Sequence, residues 1–246
     1  MRAYINEIFS SIQGEGIYVG VRQIFIRFNR CNLQCSYCDT RETFSNERNN
    51  TFSVEIVPGT KKFQWFSNPV EHIDLFQIVQ KLRPENHHSL SITGGEPLLH
   101  EAFLLKFLPF LKGICPVFLE TNGTLYKEMK NLLSYIDIIS MDIKLPTVTN
   151  RDLWNRHEEF LQIAREKNLY VKIVITGETT EEEVCKSAQL IRHVDCSIPL
   201  VLQPVAPLGK VKAVESDKII AFQDLCSSYL DCVRVIPQVH KQINQL

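Results

Sequence analysis

Short apolar runs alternate with longer amphipathic segments along most of the chain, and this pattern limits the folds open to it. Helical patterns lie between the runs, at about 73–83, 101–112, 126–134, 151–167, 180–193 and 216–229. The runs themselves cover 24–28, 89–93, 116–120, 136–141, 170–175, 200–203 and 232–236. Strands that alternate with helices form βαβ units on a parallel sheet. We therefore expect an α/β fold whose sheet is open or curled into a partial barrel.

Length and composition favour a single domain. The chain has 246 residues, of which 44% are hydrophobic, and one core can serve a chain of this size. We therefore expect one domain spanning residues 1–246. The stretch at about 41–70 breaks the alternation, and we interpret it as an insertion or a pair of short strands.

Charge and hydropathy exclude several classes of partner. The chain carries 27 Lys plus Arg and 28 Asp plus Glu, so it has no net field that would attract nucleic acid or an anionic membrane. Arg2, Glu7 and Glu15 interrupt the N-terminal segment where a signal peptide needs an apolar stretch. No segment approaches the ~20 apolar residues of a membrane span. We expect a cytoplasmic protein that binds neither nucleic acid nor membrane.

Polar clusters follow the predicted strands at the points where those strands end. The clusters lie at 31–40, 93–97, 120–123, 142–144 and 203–204. The carboxyl ends of parallel strands meet at one edge of a sheet, where α/β folds bind their ligands. The sequence therefore predicts a single shared pocket.

Three of the eight cysteines, Cys31, Cys35 and Cys38, share one short loop with C-x3-C-x2-C spacing. Clustered thiolates bind zinc or iron–sulfur groups. A structural zinc site recruits a fourth Cys or His with its own short spacing, and none stands nearby. An iron–sulfur cluster on three thiolates instead leaves one iron open to a cofactor or substrate. The other five cysteines show no ligand spacing and are interpreted as small buried hydrophobes.

Further polar residues are candidates for holding a ligand. In the segment 93–97, two glycines allow close backbone approach, and Glu96 can accept a hydrogen bond from an ammonium group. Asp142 and Lys144 can either contact a ligand or form an ion pair with each other. Two glycines flank Glu15 in a loop that can approach a ring edge. The candidates at strand ends for ribose and carboxylate groups are Glu120, Asn122, Ser140, Asp142, Lys144 and Gln203.

The cysteine spacing resembles that of radical S-adenosylmethionine (SAM) enzymes, in which the open iron binds the methionine moiety. Tyr37 matches the aromatic residue that packs near adenine in that family, and Gly94, Gly95 and Glu96 match its motif for the SAM amino group. Together with the segments 7–16, 26–28, 38–40 and 93–97 and with His240-Lys241, these motifs resemble the 7-carboxy-7-deazaguanine synthase family over nearly the full length. The resemblance implies a partial (β/α)6 barrel with a 4Fe-4S cluster on the three cysteines.

The resemblance also implies roles for individual residues. Arg27 would face the carboxylate of a pterin-like substrate, and Thr93 would touch that substrate. The carboxylate of Leu246 would close the pocket, and Asp39 and Thr40 would flank a Mg²⁺ ion. Ile12, Gln13, Gly14 and Glu15 would line the substrate, and Glu15, Arg27 and His240 would be the residues that act on it.

The implied reaction converts 6-carboxy-5,6,7,8-tetrahydropterin to 7-carboxy-7-deazaguanine with loss of ammonia. It starts when SAM is cleaved to a 5′-deoxyadenosyl radical by an electron from a flavodoxin- or ferredoxin-type donor.

A homodimer is a possible assembly. Two segments, Ser140 to Lys144 and 205–209, depart from the family pattern and leave open a lyase that cleaves the side chain of a 7-deazaguanine such as queuine. A glycyl-radical activase and a zinc-binding module are more distant alternatives.

Overall fold

The computed structural model describes residues 1–38, 40, 49–206, 211–243 and 245. It shows an α/β fold built on one ten-stranded sheet with the order β12-β11-β10-β9-β8-β7-β3-β2-β4-β5. Within the described residues the edge strands β5 and β12 do not pair with each other, so the sheet does not close into a barrel. The sheet strands are β2 (Ile5–Ile12), β3 (Arg22–Phe28), β4 (Thr51–Val57), β5 (Lys62–Ser67), β7 (Ser89–Gly94), β8 (Val117–Thr121), β9 (Ile138–Asp142), β10 (Asn168–Ile175), β11 (Leu200–Pro204) and β12 (Val233–Val235).

The seven strands from β3 to β12 run parallel, as the alternating sequence predicted. The apolar runs from β3 to β11 are buried on both faces, which is typical of parallel strands covered by helices, whereas the edge strand β12 is only half-buried. The covering helices are α1 (His72–Lys81), α2 (Glu101–Phe107), α3 (Tyr126–Leu132), α4 (Pro146–Thr149), α5 (Trp154–Ala164), α6 (Glu181–Val194), α7 (Ser216–Ser227) and α8 (Val239–Gln242). A small antiparallel pair, β1 (Arg2–Ala3) with β6 (Val70–Glu71), stands apart from the sheet.

Two predicted helices are shorter than the sequence pattern suggested. The pattern at 151–167 corresponds to α5 alone, Trp154–Ala164, which the short α4 precedes; Asn150, with a left-handed φ of 54°, ends α4. The pattern at 101–112 ends as an α-helix at Phe107 and continues as a 3₁₀ turn over Leu108–Leu111, which contains Pro109. A proline has no N–H and cannot extend an α-helical ladder, which accounts for the change.

The sequence pattern missed β2, which pairs antiparallel with β3. Its burial does not alternate, because Ser10 and Ser11 are as buried as Ile8 and Phe9. The turn between β2 and β3 contains residues 13–21 and lies at the end of β3 opposite to the cysteine loop, and both segments line the same cavity.

The stretch at 41–70 contains an antiparallel hairpin, β4 and β5, that extends the same sheet. β4 pairs parallel with β2, so the hairpin lies on the side of β2 away from β3. The expectation of a pair of short strands is confirmed, while residues 41–48 lie outside the described part of the chain. Across the described residues, the helices are all too short or too polar to cross a bilayer.

Candidate active site

The carboxyl ends of the parallel strands open into a cavity of about 480 Å³. This is the edge at which the sequence predicted a shared pocket, and most of the predicted residues meet there. The predicted residues that line the cavity are Ile12, Gln13, Gly14, Glu15, Arg27, Cys31, Cys35, Tyr37, Cys38, Thr40, Thr93, Gly94, Gly95, Glu120, Asn122, Asp142, Lys144, Gln203 and His240.

Two predicted residues lie beneath the cavity instead of in its wall. Glu96 is fully buried, and its carboxylate accepts hydrogen bonds from Leu98 N–H at 3.1 Å, the Thr121 hydroxyl at 2.9 Å and Asn122 N–H at 2.8 Å. Burial raises its pKa to about 7 in spite of these donors. Ser140 is also buried and hydrogen-bonds to Tyr170. Asp39 and Leu246 lie outside the described residues.

The cysteine loop begins directly after β3. Arg30 turns the chain with a positive φ of 74°, and the loop is held by Ser36 N–H donating to Val148 O at 3.0 Å. All three thiols line the cavity and are partly exposed to it. Burial raises the pKa of Cys31 to about 11, so loss of its proton requires a positive partner such as a metal.

Gly94 and Gly95 serve the cysteine loop directly. A Cβ on Gly94 would collide with the backbone of Phe28, and one on Gly95 would collide with the backbone of Arg30 and lie 2.9 Å from Cys31 N. Gly94 also has φ of 128°, which L side chains rarely adopt. Gly94 and Gly95 therefore allow β7 to pack against the start of the cysteine loop, and both also line the cavity, where the sequence predicted that they approach a ligand.

Neutral side chains flank Cys31, and of these Asn122 lines the cavity while Asn32 and Thr124 lie behind it. Asn122 Nδ2 donates to Asn32 Oδ1 at 2.8 Å, Asn32 Nδ2 donates to Thr124 Oγ1 at 2.8 Å, and Thr124 Oγ1 donates to Asn122 Oδ1 at 2.6 Å. Asn122 Nδ2 also points to Cys31 Sγ at 4.0 Å, and Leu33 N–H donates to the same sulfur at 3.5 Å. We call the ring of Asn32, Asn122 and Thr124 the amide wall.

His157 supports the amide wall from behind. It is fully buried, and its Nε2 lies 3.2 Å from the carbonyl oxygen of Asn122. Burial lowers its pKa to about 4, so the imidazole is neutral near pH 7. A neutral ring can donate from Nε2 to that carbonyl without adding charge next to the cysteines.

Charged side chains form the opposite wall. Lys172 pairs with Glu15 and lies 3.5 Å from Asp142 Oδ2, and Lys144 donates to the same Asp142 oxygen at 2.8 Å. Lys144 Nζ also donates to the Tyr37 hydroxyl at 3.0 Å. We call the four charged residues Glu15, Lys172, Asp142 and Lys144 the charge ladder. The ion pair predicted for Asp142 and Lys144 is present, and it is one step of a longer array.

Glu15 is held as a carboxylate at one end of the charge ladder. Lys172, a hydrogen bond from Gln238 Nε2 at 2.6 Å and the charge of His240 outweigh burial and lower its pKa to about 2. Glu15 is therefore a fixed acceptor at neutral pH and does not carry a proton to donate.

Glu120 and Gln13 form a polar floor between the two walls. Glu120 accepts from Gln13 Nε2 and from Thr93 Oγ1, both at 2.8 Å. Gln13 Oε1 accepts from Glu15 N–H at 3.0 Å, which fixes the loop that carries Glu15.

Arg27 also lines the cavity. Its Nε donates to Glu7 at 2.7 Å, and its guanidinium group lies 5.8 Å from the centre of the Phe9 ring.

The C-terminal segment docks on the Glu15 loop. Val239 N–H donates to Gly14 O at 2.9 Å. Gly14 packs so closely on His240 that a Cβ would lie 2.5 Å from the histidine Cβ. His240 therefore sits on the pocket, as the resemblance implied, and is not a solvated terminal residue.

Comparisons with known proteins bear on this arrangement. Residues 25–191 match the model of the radical SAM superfamily. A 7-carboxy-7-deazaguanine synthase from Geobacter sulfurreducens is 41% identical over 99% of this chain and 98% of its own length. One from Methanocaldococcus jannaschii is 34% identical over 98% of this chain and 100% of its own. The chain belongs to the 7-carboxy-7-deazaguanine synthase family.

A solved structure shares the fold of this chain. The crystal structure of QueE from Escherichia coli superposes with a TM-score of 0.63 and 22% identity, covering 98% of this chain and 95% of that one. These relatives support the synthase hypothesis and not the queuine-lyase, activase or zinc-module alternatives.

Members of the radical SAM superfamily use a 4Fe-4S cluster and SAM, and the residues of the pocket fit both groups. Three thiols from one loop face one cavity, yet within the described chain no three His, Cys, Asp or Glu side chains converge on a point as one metal ion requires. A cluster that takes one thiolate per iron suits this spread. Asp142 Oδ1 and Gln203 Oε1 are buried, have no hydrogen-bond partner among the described residues and belong to the cavity lining. Such acceptors fit the hydroxyl groups of a bound ligand.

Sequence reasoning missed three residues that organise the pocket of this family member. Lys172 was detectable, since it is a charged residue inside the apolar run of β10. Glu7 lies in β2, the strand that the pattern did not reveal. Gln238 had no signal beyond its position two residues before His240.

Proposed function

We propose that this chain converts 6-carboxy-5,6,7,8-tetrahydropterin to 7-carboxy-7-deazaguanine. The observation that carries the proposal is that one cavity joins the three thiols to the Gln13–Glu15 loop, in a chain 41% identical to a synthase of that name over nearly its whole length. A cysteine loop alone indicates how a radical reaction begins. The glycine-flanked loop beside it supplies the recognition of a substrate ring.

Cys31, Cys35 and Cys38 would hold the 4Fe-4S cluster. When bound, the cluster supplies the electron that cleaves SAM to methionine and a 5′-deoxyadenosyl radical. Asp142 and Gln203 offer their free acceptor oxygens to SAM hydroxyl groups, and Tyr37 gives an aromatic face for adenine. Glu96 supports the amide wall from beneath by accepting from Asn122 N–H.

The substrate would lie between Arg27 and the charge ladder. Glu15, a carboxylate at neutral pH, accepts hydrogen bonds from ring N–H groups. Arg27 lines the cavity and is held by Glu7, and its guanidinium group can orient the substrate carboxylate. His240 closes the side of the pocket formed by the C-terminal segment, and Gly14 leaves the space that it occupies.

Further parts of the proposal concern partners outside the chain. Thr40 lines the cavity 3.5 Å from Cys38 Sγ and would supply a hydroxyl ligand to Mg²⁺. A flavodoxin- or ferredoxin-type protein would provide the electron. We propose that the reaction takes place in the cytoplasm, where such donors are reduced, and that the chain works as a homodimer.

The test is anaerobic incubation of the reconstituted protein with SAM, a reductant, Mg²⁺ and the carboxytetrahydropterin. We expect 7-carboxy-7-deazaguanine and 5′-deoxyadenosine by mass spectrometry, and ammonia by an enzymatic assay. A parallel reaction contains queuine in place of the pterin. Turnover of queuine alone would show that the synthase assignment is wrong, and turnover of neither substrate would reject both. Omission of Mg²⁺ from the active mixture tests the metal separately, with a lower rate expected.

A further inference from the structure

Lys172 occupies the centre of the charge ladder. Its side chain is 12% exposed, and its ammonium group contacts Glu15 on one side and Asp142 on the other. Glu15 comes from the loop that faces the proposed substrate. Asp142 ends β9 on the side where SAM is proposed to bind. One cation therefore touches both halves of the pocket.

The backbone fixes Lys172 in this place. Lys172 and Asp142 are paired positions of the parallel strands β10 and β9, and Ile143 N–H donates to Lys172 O at 2.9 Å. The Glu15 loop is held separately, by Gln13 and Gln238. The side chain of Lys172 thus connects β9 to the Glu15 loop, two segments that are held in place by separate contacts.

The two carboxylates compete for the ammonium group of Lys172. Asp142 shares one oxygen between Lys172 and Lys144, and its other oxygen is buried without a partner among the described residues. A ligand hydroxyl that donates to Asp142 withdraws part of its negative charge and weakens its hold on Lys172. The ammonium group is then freer to fix Glu15 in the orientation that receives a substrate ring.

We propose that Lys172 is a positioning residue that couples the two halves of the pocket, so that SAM and substrate each raise the affinity of the protein for the other. The inference rests on the proposed function. Because coupling between binding sites is reciprocal, it can be measured from either ligand.

The experiment is anaerobic calorimetric titration of the carboxytetrahydropterin into reconstituted protein whose cluster is oxidised, so that no SAM is cleaved. The substrate Kd is measured with and without saturating SAM. For the native protein we expect SAM to lower this Kd by at least about 5-fold, the lower end of typical coupling. In Lys172→Met we expect the ratio of the two Kd values to fall to about 1, because no cation then joins the two carboxylates.

Two variants separate coupling from general damage. Lys144→Met removes a cation that touches Asp142 but not Glu15. SAM binding should therefore weaken, while the ratio of the substrate Kd without SAM to that with SAM stays above one. Lys172→Arg keeps the charge and should retain most of the coupling. If Lys172→Met fails to fold or to take up iron, Lys172→Gln is titrated in its place with the same expectation.

A native ratio of about 1 would overturn the inference, as would a native-like ratio in the Lys172 variants without charge. Neither result would affect the proposed function, provided that the native protein still forms 7-carboxy-7-deazaguanine. Failure of the native protein to bind the pterin at all would instead reject the proposed function.

Discussion

The two walls of the pocket use opposite chemistry. The amide wall beside Cys31 is closed by hydrogen bonds between neutral groups, and even the histidine behind it is uncharged near neutral pH. The charge ladder on the other side alternates anions and cations within a few ångströms. Both walls are largely buried, so the difference does not follow from access to water.

The difference in charge between the two walls follows from the groups they would contact, the cluster on one side and the substrate and cofactor on the other. Hydrogen bonds to a thiolate tune a cluster with no change of net charge, whereas a fixed charge close by would shift its potential strongly. A polar substrate and cofactor need fixed acceptors and donors, and buried charges are tolerated only when they are paired. We infer that neutral groups tune the cluster at Cys31, whereas the paired charges of Asp142 and Lys144 act both on the substrate side and on Cys35.

The largest effect should come from removing a thiol beside the amide wall. Cys35→Ala leaves two thiolates, too few to retain a cluster stably, and we expect 5′-deoxyadenosine formation to fall below detection. Iron analysis and the visible spectrum check the cause. Cys196→Ala is the matched control, because Cys196 is exposed and does not line the cavity. Native turnover by Cys35→Ala would remove the basis for assigning the cluster to this loop.

Introducing charge into the amide wall is the next test. Asn122→Asp keeps the shape of the side chain, but the carboxylate cannot donate to Asn32 and lies buried near Glu96. An unpaired buried charge costs about 3–5 kcal/mol. We expect the free energy of unfolding to drop by about this amount at pH 8, measured by urea denaturation of the protein without cluster. An unchanged midpoint would mean that the wall does not depend on neutrality.

The neutral state of His157 predicts a pH dependence of stability. Its pKa is about 4 in the folded protein against 6.5 for an ordinary histidine, so only the unfolded chain takes up the proton as pH falls between these values. Stability from the neutral ring is complete above pH 6.5 and is lost as pH falls to 4, by about 3 kcal/mol. We expect His157→Gln to lack this loss in urea titrations across the same range.

A matched variant controls for surface histidines. His193 has a side chain that is 71% exposed, and His193→Gln should keep the native pH profile. If His157→Gln retains the native decline between pH 6.5 and 4, then His157 is not the group that titrates.

The smallest expected effect is on substrate binding when one charge of the ladder is removed. Glu15→Gln leaves Asp142 as the one carboxylate of the ladder for both Lys172 and Lys144, so the free energy of unfolding should fall by about 3 kcal/mol, as for other broken buried pairs. Substrate binding should weaken by only about 10-fold, because the variant keeps one acceptor where the carboxylate has two. Steady-state KM and urea midpoints measure the two effects. Glu158→Gln, at a half-exposed position on α5, is the control.

The sequence predicted the parallel strands and the meeting of polar clusters at their carboxyl ends, because long apolar runs can be buried only between helices. It did not predict β2, since Ser10 and Ser11 replace the expected apolar residues on a strand that is buried nonetheless. It named Glu96 as a candidate acceptor for an ammonium group but could not predict its donors, because Leu98, Thr121 and Asn122 reach its carboxylate only in the folded chain.

The charge ladder could be predicted only in part. Asp142 and Lys144 are two positions apart in an extended segment, so their pairing follows from local geometry. Lys172 meets Glu15 across 157 positions of sequence, and no local pattern encodes such a contact. The contact depends on where the hairpin of β2 and β3 places its turn relative to β10.

The order of strands also matters for how the chain is made. From β7 onward each new strand joins the one synthesised before it, so that side of the sheet can grow in step with translation. The Glu15 loop is synthesised before these strands, whereas its partners Gln238 and Val239 follow them in the chain. A nascent chain therefore holds an unfinished pocket until Gln238 and Val239 emerge, and cluster delivery before that moment would meet no C-terminal segment over the Glu15 loop.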